Sequence, residues 1–234
     1  MMMEELKNKL WLVLIVAIIS TAAVIIVGLI VFSGPIAERI AGASIRSQDA
    51  GGIHIPFEGS FESVDGQEGS VRGVTIVGGQ IGRAALFDNE DSLSYLASGH
   101  IHPNQGAIEF WLKPLWNGDD EQSYVFFEIG DSWFNRFRII KDGANNFRFM
   151  AWSSKVEYDV ACNVGDWVAN DWHKVRATWD HDTLSLYLDE NLCDTQTFVT
   201  MPERLSTRFY IGSSAQLDLQ AQAAIDEFVI HTQP

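Results

Sequence analysis

The sequence contains little cysteine and lacks the short motifs of several enzyme classes. Only Cys162 and Cys193 occur among 234 residues, which is too few for a scaffold held by several disulfides. The two cysteines form one bridge in an oxidising compartment, or remain core thiols in a reducing one. No G-x-S-x-G, H-E-x-x-H or phosphate-binding glycine loop is present, so the common serine hydrolase, zinc protease and nucleotide-binding classes are excluded.

Basic residues are also scarce, with 16 Lys and Arg against 31 Asp and Glu. From Ser47 onward there are 12 basic and 28 acidic residues, a net charge of −16. A surface of this sign repels nucleic acid and attracts cations or basic partners. We therefore expect no nucleic-acid partner.

The apolar residues are concentrated near the start of the chain. Leu10–Phe32 is uninterrupted by charge and is about as long as a bilayer-spanning helix. A cleaved signal peptide is the alternative, with Ala41-Gly42-Ala43 as a cleavage site, but its apolar region is usually about 7–15 residues. The sequence predicts a retained transmembrane helix over 10–32 after a short cytoplasmic tail at 1–9.

Residues 33–52 are predicted to be a juxtamembrane segment. Ile36, Ile40 and Ala43 recur at helical spacing, which indicates a short amphipathic stretch at the membrane surface, and a polar link follows. The numbers of Lys and Arg residues on the two sides of the predicted span barely determine its orientation in the membrane. The type of domain that follows favours a cytoplasmic N-terminus and a periplasmic or extracellular C-terminal domain.

The pattern changes to short β-branched and aromatic runs from Ile53 to the end of the chain. Such runs, broken by Gly, Asn and Asp, predict an all-β antiparallel sandwich or jelly roll over 53–234. The predicted strands are Ala84–Phe87, Ala107–Leu112, Tyr124–Ile129, Phe137–Lys141, Phe147–Trp152, Trp172–Trp179, Leu184–Leu188, Phe209–Ile211 and Ala224–His231.

One strand illustrates how the acidic and aromatic residues are distributed. Alternation over Trp172–Trp179 puts Lys174, Arg176 and Thr178 on one face and Val175, Ala177 and Trp179 on the other. The following Asp180-His181-Asp182 has the composition of a turn. The acidic residues are therefore predicted to lie in turns and not in a convergent site.

Four segments in the same order carry a family resemblance. They are "IGRAALFDNEDSLSY", "GAIEFWLKPLW", "WHKVRATWDHDTLSLYLDENL" and "FYIGSSAQLDLQAQAAIDEFVIH". Together they resemble laminin-G-like, concanavalin A-like lectin and glucanase jelly rolls. Glu190-Asn191 and Ala223-Ala224 stand where that family usually has glycine, which affects turns more than the fold.

The resemblance includes enzymes on the same fold, and this sequence lacks their carboxylate pattern. Family-16 glycoside hydrolases carry E-x-D-x-x-E on one strand, which points alternate carboxylates into a cleft. Glu128-Ile-Gly-Asp131 has the wrong spacing, and Glu157-Tyr-Asp159 lacks a third carboxylate. We therefore expect a domain that is not an enzyme.

The resemblance also implies a structural calcium ion between the first and last strands. The matching positions are Glu58, the carbonyl of Gly59 and Asp226, and oxygen ligands suit calcium. The alternative is that Glu58 is solvated and Asp226 caps a turn.

Two further sets of residues are candidates for contacts with partners. Trp116 and Trp133 are predicted to be exposed near loops and to stack on sugar rings, whereas most other tryptophans belong to the core. In the membrane segment, Ala17, Thr21 and Gly28 form a stripe of small residues that allows another helix to pack closely.

Two functions remain open from sequence. The first is a membrane-anchored recognition module that binds glycan or protein outside the cytoplasm. The second is an accessory single-span subunit of a larger membrane complex, with the jelly roll capping its outer face. Expected partners are thus the lipid bilayer together with other membrane subunits, or an extracytoplasmic protein or glycan.

Overall fold

The computed structural model describes residues 51–217 and 219–234. The predicted span over 10–32, the helix-packing residues Ala17, Thr21 and Gly28, and nearly all of the juxtamembrane segment lie outside the described residues. Among the described residues there is no helix with the length and apolarity needed to cross a bilayer.

The described residues form fifteen strands. They are β1 (Ile53–Ile55), β2 (Ser70–Arg72), β3 (Thr75–Gly78), β4 (Arg83–Phe87), β5 (Ser92–Leu96), β6 (Gln105–Pro114), β7 (Tyr124–Ser132), β8 (Asn135–Lys141), β9 (Asn146–Ser153), β10 (Val156–Asn163), β11 (His173–Asp180), β12 (Thr183–Leu188), β13 (Asn191–Gln196), β14 (Arg208–Ile211) and β15 (Ala223–His231).

These strands make two antiparallel sheets packed face to face. The larger sheet has the order β13-β12-β11-β6-β15-β4-β3, with β1 also paired to β15, and the smaller has the order β10-β9-β8-β7-β14-β5-β2. Strands that are distant in sequence are therefore neighbours, as in a jelly roll. The predicted all-β sandwich is confirmed for the described residues.

The core lies between the two sheets and follows the alternation of the strands. On β11, Val175, Ala177 and Trp179 are fully buried while the intervening side chains face away from the core. Trp179 packs against Phe137 and Phe149 of the smaller sheet, with ring centroids 5.0 and 6.1 Å away. A side chain at Gly106 would meet the Trp179 ring at 2.5 Å, so this position needs glycine.

Candidate functional site

A polar groove of about 620 Å³ lies on the face of the larger sheet that is turned away from the core. Strands β6, β11 and β12 form its floor side by side. Its lining residues are Glu109, Lys174, Arg176, Thr178, Tyr187, Glu190 and Pro234.

The strand registers bring the groove's side chains together. Arg176 pairs with Glu109 on one neighbouring strand and with Tyr187 on the other, so the three form a row across the sheet. Lys174 lies two positions before Arg176 on the same face. Alternation along β11 predicts that Lys174, Arg176 and Thr178 share a face. It contains no information about Glu109 and Tyr187, because these residues are brought beside Arg176 by pairing with strands that are distant in sequence or across a turn.

The charged groups of the groove largely neutralise one another. Glu109 Oε1 lies 2.6 Å from Lys174 Nζ, and Glu109 Oε2 lies 3.5 Å from Arg176 Nη1. Lys174 Nζ also lies 5.3 Å from the centroid of the Trp111 ring. With Glu190 the groove has two cationic and two anionic side chains, together with the hydroxyl groups of Thr178 and Tyr187. Such a surface can donate and accept hydrogen bonds, and its charges largely cancel, so that it has neither a strongly positive nor a strongly negative potential.

The expectation that Trp116 is exposed was wrong. Its side chain is only 5% exposed, its Nε1 donates a hydrogen bond to the carbonyl of Ala221 at 3.0 Å, and its ring stacks on Tyr124 and Trp167. The loop after β6 turns back over the core, because Leu115 N donates to Gln222 O at 3.0 Å. Trp116 is therefore a core residue that cannot stack on a sugar.

Trp133 is exposed, as the sequence predicted. It lies in the turn between β7 and β8 and is 55% exposed. The guanidinium carbon of Arg136 lies 4.4 Å from its ring centroid and 3.6 Å from that of Trp152. Trp133 does not line the groove.

The two carboxylates of the expected calcium site, Glu58 and Asp226, both contact one turn. The carboxylate of Glu58 lies against Gly82, where a Cβ atom would be 2.0 Å from its Oε1, and Asp226 Oδ2 lies 2.6 Å from the Cβ position of Gly79. Gly79 and Gly82 are joined by a hydrogen bond of 3.1 Å. Both carboxylates thus contact the turn between β3 and β4.

Asp226 is fully buried. Its Oδ2 accepts a hydrogen bond from Ile81 N and its Oδ1 from Glu227 N, both at 2.8 Å. Burial raises the pKa of Asp226, and the backbone hydrogen bonds only partly oppose that effect. Within the described residues no three His, Cys, Asp or Glu side chains converge. A calcium ion at this turn would therefore have two carboxylates and would need backbone carbonyls or water for its other ligands, which calcium accepts.

Cys162 and Cys193 are joined in the structure, with Cα atoms 6.1 Å apart. They link β10, an edge strand of the smaller sheet, to β13, an edge strand of the larger one. Side chains of β13 also bond the β10 backbone, since Ala161 N donates to Asp194 Oδ2 at 3.0 Å and Asp159 N to Gln196 Oε1 at 3.1 Å.

The buried carboxylates are not arranged for acid-base catalysis. Among the described residues they are Glu128 and Asp226, which lie on different sheets. Glu128 Oε2 lies 2.9 Å from Arg138 Nε, and Glu128 Oε1 accepts a hydrogen bond from Ala215 N at 3.0 Å. Glycoside cleavage usually requires two carboxyl groups flanking one bond, and these two residues do not form such a pair.

Three solved structures illustrate the fold that this chain shares. Domain 4 of an extracellular arabinanase from Geobacillus stearothermophilus, in complex with arabinotriose, has 16% identity and a TM-score of 0.64, covering 77% of this chain and 91% of that one. The binding domain of botulinum neurotoxin serotype D has 13% identity and a TM-score of 0.63, covering 79% and 48%. Domains LG4-5 of the mouse laminin alpha1 chain have 12% identity and a TM-score of 0.50, covering 61% and 39%.

At these identities the likeness is one of fold, and this chain spans about half the length of the toxin binding domain. No curated protein matches the sequence. A family model described as the concanavalin A-like lectin/glucanases superfamily matches residues 88–234, which is more than half of the chain and contains every strand of the groove. The chain therefore belongs to the concanavalin A-like lectin/glucanases superfamily.

Proposed function

We propose that residues 53–234 form a non-catalytic recognition domain whose groove on the larger sheet binds a neutral oligosaccharide. We also propose that residues 10–32 anchor this domain in a membrane, with the N-terminus in the cytoplasm and the domain outside. The groove of about 620 Å³ is the observation that carries the first proposal.

The chemistry of the groove supports a sugar ligand. Saccharide hydroxyl groups donate and accept hydrogen bonds side by side, and the Glu109, Lys174 and Arg176 cluster offers both kinds of partner within a few ångströms. Tyr187 adds an aromatic face with a polar tip. Because the groove as a whole has two cationic and two anionic side chains once Glu190 is included, it favours a neutral ligand over an acidic or basic one.

Two further observations are consistent with this proposal. One neighbour of similar fold was solved with arabinotriose, so that trisaccharide is a sensible first probe for this chain. The engagement of Glu128 with Arg138 and Ala215 supports binding without hydrolysis.

The test is a titration of the protein with arabinotriose, followed by a panel of neutral oligosaccharides. We expect saturable binding to at least one of them, and Tyr187→Ala should raise Kd about tenfold, which corresponds to about 1.4 kcal/mol. Tyr210→Ala is the matched control, because Tyr210 is a partly exposed tyrosine on the other sheet and its loss should leave Kd unchanged. Binding that survives Tyr187→Ala intact would place the ligand elsewhere, and the absence of binding across the panel would leave a protein ligand as the remaining recognition hypothesis.

The second candidate function is an accessory subunit of a membrane complex. The observation that favours it is the net charge of −16 from Ser47 onward, which attracts a basic protein surface. The mass of the particle extracted from the native membrane in mild detergent separates the two functions. Stoichiometric partners in a large assembly would support the subunit, whereas a chain that migrates alone would support the recognition module.

We further propose that calcium binds at the β3–β4 turn, held by Glu58, the Gly59 carbonyl and Asp226. The ion would supply positive charge to the buried Asp226 carboxylate and would have a structural role. Support comes from the burial of Asp226 and from the contact of both carboxylates with the same turn.

A further inference from the structure

The most exposed aromatic side chains of the sandwich are gathered at one of its ends. Trp133 is 55% exposed, Phe134 53% and Phe198 85%. These three are the aromatic members of the strongly exposed large apolar residues among the described residues. Exposed apolar groups gathered in one region usually mark a contact surface.

The strand directions show that these residues share an end. The turn between β7 and β8 carries Trp133 and Phe134, and Phe198 lies two residues after the end of β13. The loop after β13 reaches that turn, since Glu203 N donates to Asn135 Oδ1 at 3.1 Å. The same loop bonds the β11–β12 turn, where Val199 N donates to Asp182 O at 2.9 Å.

The chain enters the domain at this same end. Ile53 at the start of β1 pairs with Ile230 near the end of β15, and β15 ends beside the start of β6 and the end of β11. The carbonyl of Gly52 contacts His100 Nδ1 at 3.0 Å. The loop that contains His100 continues to Asn104, whose carbonyl accepts a hydrogen bond from His181 N at 2.6 Å. We call this region, formed by Gly51–Gly52 and the loops 97–104, 133–134, 154–155, 181–182 and 197–207, the tether end.

An exposed cationic group accompanies the aromatic rings of the tether end. Lys155 is exposed and its Nζ lies 5.6 Å from the Phe134 ring centroid, whereas Arg136, which lies over Trp133, is buried. Aromatic rings at the headgroup level with Lys and Arg reaching toward phosphates are the usual composition of a membrane-interface contact.

We propose that the tether end rests on the bilayer, with Trp133, Phe134 and Phe198 in the lipid headgroup region. This inference rests on the proposed anchor at 10–32. Twenty residues separate the end of that anchor from the first strand of the domain, and a flexible chain of that length has a root-mean-square span of about 25 Å, less than the roughly 40 Å diameter of a domain of this size. A link of that length favours contact between the bilayer and the end at which the chain enters.

The lipid partner is zwitterionic. Asp182 and Glu203 at the tether end, and Asp180 beside it at the end of β11, are exposed acidic residues, and they repel an anionic surface. Phosphatidylcholine, which presents both a phosphate and an ammonium group, matches the mixture of Lys155 with these carboxylates.

The experiment uses the full chain reconstituted in phosphatidylcholine nanodiscs, with a nitroxide attached to a cysteine introduced as Phe198→Cys. Leu115→Cys is the matched control, because Leu115 is an apolar residue that is 46% exposed at the opposite end. The unsubstituted chain is the labelling blank. We expect the ratio of oxygen to nickel-chelate collision rates to be several-fold higher at 198 than at 115, since oxygen concentrates in lipid and the chelate is excluded from it.

The other outcomes separate this inference from the proposals on which it depends. Incorporation of the chain with equal collision ratios at 198 and 115 would overturn the membrane contact and leave the anchor intact. Failure to incorporate would overturn the anchor and this inference together. Protection at 198 in native membranes but not in nanodiscs would show a protein partner at the tether end and would also overturn the lipid contact. None of these outcomes depends on oligosaccharide binding in the groove.

Discussion

At the scale of single residues, Lys141 is the most unusual member of the core. Its side chain is fully buried, and its Nζ contacts Asp120 Oδ1 at 2.7 Å, Asn145 Oδ1 at 3.0 Å and the carbonyl of Gln122 at 3.1 Å. A buried ammonium group is tolerated only when such partners are present. We expect Asp120→Asn to lower the free energy of unfolding by about 3 kcal/mol, measured by urea denaturation at pH 7.

The effect of Asp120→Asn should depend on pH. Burial by itself raises the pKa of Asp120, but hydrogen bonds from Lys141 and Tyr124 outweigh it and hold the pKa below its usual value. A lowered folded-state pKa gives stability that is complete above the unfolded pKa of about 3.9 and is lost as pH falls through the folded pKa. The difference between wild type and variant should therefore shrink below about pH 4.

Asp119→Asn is the control for this prediction, since Asp119 is the exposed neighbour of Asp120. It should change stability by less than about 0.5 kcal/mol. Equal effects of the two substitutions, or a difference that persists unchanged in acid, would contradict the assigned role of the Asp120–Lys141 pair.

The two candidate tryptophans show the limit of prediction at this scale. Trp116 and Trp133 each stand four residues after the end of a predicted strand, so their positions along the sequence do not distinguish them. Trp116 is buried because the loop after β6 bonds to Gln222, far along the chain. Trp133 occupies a short turn between two consecutive strands, and its side chain is 55% exposed. Whether the tryptophan is buried depends on a contact between residues that are distant in sequence. The local sequence pattern carries no information about that contact.

At the scale of elements, the edge strands β10 and β13 stabilise each other. The disulfide and the hydrogen bonds from Asp194 and Gln196 join the edge strands of the two sheets, which protects the open edge of β10. We propose that Cys162 and Cys193 are oxidised in the native protein. The bridge closes a sequence separation of 31 residues, so its loss by Cys162→Ala with Cys193→Ala should lower the free energy of unfolding by about 3–4 kcal/mol.

Thiol titration and denaturation with and without reductant check this prediction. The unfolded wild-type chain should expose no free thiol until reductant is added, and reductant should then lower its denaturation midpoint. The double variant supplies the control, because reductant should not affect it. Two free thiols in the purified wild type, with a midpoint insensitive to reductant, would contradict the bridge.

Strands with one buried face were mostly predicted well from the sequence, whereas strands at a sheet edge were mostly missed. The alternation of β11 and the apolar runs of β6 to β9 identified those strands to within a few residues of their observed bounds. Six strands were missed, namely β1, β2, β3, β5, β10 and β13, and four of these are edge strands, β2, β3, β10 and β13. Among them β2 ("SVR") and β13 ("NLCDTQ") are mostly exposed and lack an apolar face. Their strand conformation comes from pairing with β5 and β12.

At the scale of the whole molecule, both proposed contact surfaces are products of topology. The groove combines β6 with β11 and β12, although more than fifty residues separate Phe110 from Val175. The tether end likewise collects five loops from across the sequence. The family resemblance predicted the sandwich, but neither surface follows from a local motif, because each depends on strand order.

Calcium would act at this scale by joining the beginning of the domain to its last strand. Glu58 follows β1 and Asp226 belongs to β15, and both reach the β3–β4 turn. The burial that raises the pKa of Asp226 means that its ionised form costs stability near neutral pH. A bound divalent cation stabilises that charge and, because it binds the folded state only, adds RT ln(1 + [Ca²⁺]/Kd) to the free energy of unfolding.

We therefore expect calcium to raise the melting temperature of the full chain in detergent, by several degrees at about 100 times its Kd, where the gain is about 2.7 kcal/mol. Excess EDTA should remove the gain and magnesium should not restore it, since magnesium demands a stricter octahedral geometry. Asp226→Asn should abolish the calcium response, while Glu203→Gln, which removes a distant exposed carboxylate, should retain it. If the melting curve is the same in calcium and in EDTA, calcium does not bind at this turn. Asp226 then serves only to accept hydrogen bonds from the amides of Ile81 and Glu227.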